Sequence, residues 1–172
     1  MITGDDFWAF SLSVYQQPGV PDECLALQNT LGADVNLLLL CAFLGAKHKA
    51  LMDRDDIEAV VAASTAWHVD IVRNLRAARQ ALKPWEDGRD QSLQDSARVL
   101  RSTVKKLELD AERIEHDLLA NWANTQTFKS ASPDVAIEAN IRALLDHYQY
   151  GQDSVPLPTK LIAAAISLAA EP

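Results

Sequence analysis

The chain has 172 residues, 48% of them hydrophobic and 23% charged, and a net charge of −8 at pH 7. That length suits one domain with a substantial core, and the acidic balance argues against nucleic acid or an anionic membrane as the main partner, since both select a basic face. Cys24 and Cys41 are the only cysteines and lack metal-ligand spacing, and residues 1–6 carry acids where a secretory leader carries bases. Reduced core thiols in a cytoplasmic protein are therefore expected.

Thr3-Gly4-Asp5-Asp6 sets a capping hydroxyl three residues before an acid, which predicts a helix from there to about Gln16, ahead of Pro18-Gly19. Phe7, Trp8, Phe10 and Tyr15 recur on it at helical spacing and read as core against the third helix. Pro21, Asp22 and Glu23 suit the first turn of a second helix, and Gly32 suits its C-terminal end. The segment GADVNLLLLCAFLG, residues 32–45, is the most apolar in the chain. Its eight-residue apolar run, 37–44, falls far short of the roughly 20 residues that cross a bilayer. Leu and Ala are not β-branched, and capping marks stand at both ends, so a central buried helix over about 34–48 is predicted. Asp34 reads as its N-cap and Gly45 as a loosening of its last turn. Asn36 lies in its first turn, where capping does not account for it and an amide needs partners.

From Asp53 to Leu82 there is neither glycine nor proline. Ile57, Val61, Ser64, His68, Ile71, Leu75, Ala78 and Leu82 follow a 4-3-4-3 spacing, as do Leu93, Ala97, Leu100, Val104, Leu107, Ala111, Ile114 and Leu118. Two heptad runs joined by a short loop predict an antiparallel, coiled-coil-like helical hairpin over about 54–82 and 90–122. Folding about the loop pairs positions whose numbers sum to roughly 175, which sets Leu75 near Leu100 and His68 near Leu107. Charge is unevenly spread: residues 70–106 carry +4 and residues 107–122 carry −4. The hairpin is therefore basic toward its loop and acidic toward its open end.

Ser132-Pro133-Asp134 opens a further helix, expected to close at Gly151, and Pro156-Leu157-Pro158-Thr159 introduces a last apolar helix that something must cover. No strand alternation, long repeat or low-complexity tract is found. The expected fold is all-α, a single domain of about seven helices with a helical base (1–52), the long hairpin (53–122) and C-terminal helices (123–172).

No motif of known mechanism is present: no Gly-rich phosphate loop, no GxSxG, no HExxH and no CxxC. His68, flanked in the predicted register by Lys105, Glu108 and Glu112, reads as a seam residue that fixes register rather than as a general base. Glu112, Glu115 and His116 lie within little more than one turn, but position 113, three before His116, is Arg, so the Glu-x-x-His spacing of di-iron bundles is absent and no metal is expected. Arg73, Arg76, Arg79, Arg98 and Arg101 are candidates for gripping an anionic partner, against the alternative of pairing with Asp70, Asp87, Asp90 and Asp95. Trp85, at the hairpin tip, is a candidate contact residue.

The stretches FWAFSLSVYQQPGV and CLALQNTLGADVNLLLLCAFLG, then Trp67 before IVRNLRAARQALK and LRSTVKKLELDAERIE, resemble an uncharacterised family of small helical proteobacterial proteins over about residues 5–120. The resemblance implies a cytoplasmic helical protein without an assignable activity. It marks Asp34, Asn36, Trp67, Arg73, Arg76, Arg79, Glu108 and Glu112 as signature positions.

The first functional reading is a non-enzymatic interaction or regulatory protein, with the basic loop-side half of the hairpin as its protein-binding surface and no cofactor. Its partner would be an acidic protein surface, a second copy of the chain included. The alternative is a small enzyme or ligand binder with a polar pocket between helix 3 and the hairpin, lined by Asp34, Asn36, His68, Arg73, Glu108 and Glu112. A weaker alternative is nucleic-acid binding through residues 70–106.

Overall fold

The computed structural model describes residues 1–88, 92–149 and 155–170. The helices are α1 (Gly4–Tyr15), α2 (Val20–Leu31), α3 (Val35–His48), α4 (Arg54–Trp67), α5 (Arg73–Glu86), α6 (Gln94–Asn124), α7 (Pro133–Tyr148) and α8 (Thr159–Ala169). Five residues in π-helical conformation, His68–Val72, join α4 to α5 without a break, so the described residues form seven helical rods. Two-residue strands β1 (Ala50–Leu51) and β2 (Lys129–Ser130) pair antiparallel, a ribbon too short to leave an alternation in the sequence. The all-α class expected from periodicity is the class observed. No helix among the described residues is long and apolar enough to cross a membrane. Gly151, expected to close α7, lies outside the described residues, and the cap of α7 is Gln149.

The chain divides into two compact units, residues 1–63 with 116–172, and residues 64–115. In the first, local chemistry starts and stops the helices. Thr3 Oγ1 accepts from the Asp6 N–H at 3.1 Å and donates to its carboxylate at 2.6 Å. Asp53 and Asp56 cap α4 reciprocally, each carboxylate accepting from the other's N–H. Gly32, at φ +67°, ends α2 in the left-handed region that glycine enters freely. Asp34 accepts from the Asn36 N–H at 2.8 Å, the N-cap expected of it.

Every residue of α3 from Asn36 to Ala46 is buried. An apolar surface on all sides requires neighbours on all sides, and α1, α2, α7, α8 and β1 supply them, α7 most extensively. Phe7 and Phe10 of α1 each place their rings 5.3 Å from Phe43, the contact the aromatic spacing predicted. Gly45 has a different role from the expected loosening of a turn: a Cβ there would sit 2.7 Å from the Ile137 backbone nitrogen. The missing side chain is what lets α3 and α7 approach.

Two polar devices in this unit have no local signature. Asn140 of α7 is fully buried; its Nδ2 donates to the Cys41 and Ala50 carbonyls at 3.2 and 2.9 Å, and its Oδ1 accepts from the Met52 N–H at 2.8 Å. Glu23 of α2 accepts from the Lys160 and Leu161 N–H groups and so caps the distant helix α8.

Candidate functional site

The second unit is the hairpin, in which α5, the π segment and the end of α4 face α6. A π turn holds one residue more than an α turn, so each position beyond it is rotated by about 100° relative to an uninterrupted helix. Val72 is consequently buried at 0% exposure, whereas Ile71, the expected seam residue, is 37% exposed. The phase continues into α5, where Arg76 and Arg79 rather than Ala78 turn toward α6. On α6 the inward positions are Ala97, Arg101, Glu108, Ala111 and Glu115, while Leu93, Leu100, Leu107 and Ile114 are 46–52% exposed. The expected heptad seam is therefore corrected in part: Ser64, Ala97 and Ala111 remain inside, Leu75, Leu82 and Val104 are half-buried, and Leu93, Leu100, Leu107 and Ile114 face out.

The contact between the arms is instead a ladder of charge. Arg101 Nη1 donates to Glu86 at 3.0 Å and its Nε to the Arg79 carbonyl at 3.3 Å. Arg79 Nε and Arg76 Nε both donate to Glu108, the latter at 2.9 Å, and Arg76 Nη2 donates to Glu112 at 2.8 Å. His68 Nδ1 stands 3.2 Å from Glu115 Oε1. The Trp67 indole N–H donates to the Ala111 carbonyl at 3.0 Å. These partners sum to between about 178 and 188 in residue number, so the expected register near 175 is displaced by roughly two helical turns. His68 meets Glu115 where Leu107 was expected.

Burial sets the electrostatics of the ladder. It pushes the Glu108 carboxyl upward, but hydrogen bonds from Arg79 and Arg76, with their charges, outweigh it and hold the group below its ordinary value. Burial pushes Glu112 above its ordinary value against the pull of Arg76. Charge-assisted, multidentate bonds of this kind make Arg76, Arg79 and Glu108 a rigid strut between the arms.

The candidate residues thus separate. Arg76, Arg79, Arg101, Glu108, Glu112 and His68 are brought together, but along the inter-arm ladder rather than on a displayed surface. Arg98 pairs with the exposed Asp95 at 2.8 Å. Arg73 is exposed, and Trp85 is 42% exposed near the tip; Arg89 and Asp90 lie outside the described residues. Asp34 and Asn36 belong to the other unit, at the start of α3. Two clefts in that unit, of about 460 Å³ beside Phe10, Phe43 and His48 and about 580 Å³ beside Arg54, Ile57 and His147, include none of the predicted pocket residues. Glu86 is a ladder member that sequence reasoning did not single out, and Glu115, weighed there only as a metal ligand beside Glu112 and His116, is another.

The family model described as "Protein of unknown function (DUF2390)" matches residues 6–119. The chain belongs to this family. The matched region contains the whole of the hairpin unit, whereas α7 and α8 lie beyond it. No curated protein and no solved structure matches the chain.

What the hairpin leaves available is an apolar face. From the π segment through α5, Ile71, Leu75, Ala78, Leu82 and Trp85 follow a 4-3-4-3 spacing; from the residue before α6 along that helix, Leu93, Leu100, Leu107 and Ile114 recur every seven residues. On each arm this strip is offset by about 90° in helical phase from the inward positions. In two antiparallel helices equal offsets of the same sign place both strips on one side. That side holds large side chains 37–52% exposed at Ile71, Trp85, Leu93, Leu100, Leu107 and Ile114.

Proposed function

We propose that this protein is a non-enzymatic interaction protein whose binding surface is the apolar face of the hairpin. One observation carries the reading: the buried charges of the hairpin are satisfied by one another, while Leu93, Leu100, Leu107 and Ile114, seven residues apart, stay about half exposed. Contiguous exposed apolar surface on a soluble fold marks an association site. A strip with 4-3-4-3 spacing fits a partner helix. Exposed Lys83, Arg98, Lys105 and Lys106 keep the loop-side half basic around that face, which favours a partner with acidic flanks and raises its rate of encounter.

The test is retention of partner proteins by wild type, by Leu100→Glu/Leu107→Glu, and by Ser102→Glu on the opposite side of α6. Wild type and Ser102→Glu are expected to retain the same proteins and the double variant to lose them. Equal retention by all three would remove the face as the binding surface.

A further inference from the structure

We infer that the occupant of the apolar face is the same face of a second copy of this chain, with the two hairpins packed antiparallel, tip to open end, as a four-helix bundle. This rests on the reading of the face as an interaction surface and adds the identity of the partner. Three observations carry it.

The first is that the face is self-complementary. The α6 strip, evenly spaced by seven, reads the same in both directions about a midpoint between Leu100 and Leu107. The α5 strip is centred on Ala78, with Ile71 and Trp85 seven residues to either side. The second is that both midpoints stand at nearly the same level. Ion pairs join Arg76 and Arg79 to Glu108 and Arg101 to Glu86, so Ala78 lies level with about residue 108, little more than one turn from the α6 midpoint. A single two-fold axis across the hairpin therefore passes close to both centres. It sets α6 against its copy and α5 against its copy, with the small Ala78 at the point of closest approach, as an isologous contact requires.

The third is charge. Residues 78–106 carry seven bases and four acids, +3, whereas 64–77 with 107–115 carry three bases and five acids, −2. The antiparallel arrangement lays each basic half over an acidic half; the parallel one would set like charge on like, which is disfavoured. The heptad pattern that does not pair the two arms of one hairpin thus pairs two hairpins, in the packing geometry of left-handed bundles.

Solution mass and directed cross-linking test this together. Light scattering is expected to give twice the 18.9 kDa chain mass for wild type and a single chain mass for Leu100→Glu/Leu107→Glu, with unchanged helicity because both positions are half exposed. An equimolar mixture of Leu93→Cys and Ile114→Cys chains is expected to form the mixed disulfide. Each variant alone should not cross-link, because antiparallel packing separates identical positions by about 30 Å. Cys24 and Cys41 are buried and do not interfere. A wild-type mass of one chain at all concentrations would overturn the inference, as would a dimer that survives the double variant. Efficient cross-linking of Leu93→Cys to itself would overturn the antiparallel arrangement. A monomeric wild type that still loses its bound proteins on Leu100→Glu/Leu107→Glu would overturn self-pairing alone and leave the interaction reading standing.

Discussion

Replacing Glu108 by Gln probes the ladder where its connections converge. The carboxylate accepts from Arg76 Nε at 2.9 Å, from Arg79 Nε, and from Arg79 Nη2 at 3.3 Å. Its side chain is 7% exposed, and those of Arg76 and Arg79 are 18% and 24% exposed. Removing one partner of a fully buried ion pair costs about 3–5 kcal/mol. Here the guanidiniums retain some water, Arg76 keeps Glu112 at 2.8 Å, and the amide still accepts one bond, so a loss of about 2 kcal/mol is expected. The contrast is Asp95→Asn, which disturbs an exposed pair with Arg98 and is expected to cost roughly 0.3 kcal/mol. Urea unfolding followed by circular dichroism measures both. The pH dependence adds a sign. Because Glu108 is held below its ordinary value near 4.5, its stabilisation is present in full above that pH and is lost as the pH falls below it. Glu108→Gln should flatten that acid limb. A Glu108→Gln chain as stable as Asp95→Asn, with an unchanged acid limb, would refute the ladder as the contact that joins the arms.

Further outcomes concern the first unit. Asn140→Leu strands the Ala50 carbonyl and the Met52 N–H in the core and is expected to cost about 3 kcal/mol in a thermal or urea melt, at roughly 1–3 kcal/mol for each unsatisfied group. Gly45→Val drives atoms into the Ile137 backbone; overpacking of this kind costs about 1–3 kcal/mol, and the melt of the variant checks it. Burial pushes the Cys24 and Cys41 thiols up to about 12, so neither is expected to react with a thiol reagent at pH 8 until the chain is unfolded, when both titrate.

Where local chemistry decides the outcome, the fold is legible in the sequence. The Thr3 cap, the Asp34 cap, the Gly32 stop and the apolar run of α3 are each set by neighbours a few residues away. The hairpin phase is not of that kind. Trp67 to Val72 supports an α or a π turn equally by periodicity, and the choice is made by what lies opposite: the Ala111 carbonyl for Trp67, Glu115 for His68 and Glu108 for Arg76. Reading apolar residues as the inter-arm seam placed leucines where arginine and glutamate pair. An ion pair is visible only once its two residues are known to be neighbours in space. Asn140 and Glu23 escape for the same reason, since each serves a partner about 90 residues or more away.

The most direct test of the central claim, association through the hairpin face, is intact native mass analysis of the wild-type chain purified from a native lysate, with Leu100→Glu/Leu107→Glu purified in parallel. The account predicts an added mass of protein size on wild type, one chain mass of 18.9 kDa if the second copy is the partner, and its loss from the variant. A single chain carrying a small-molecule mass that persists in Leu100→Glu/Leu107→Glu would contradict it.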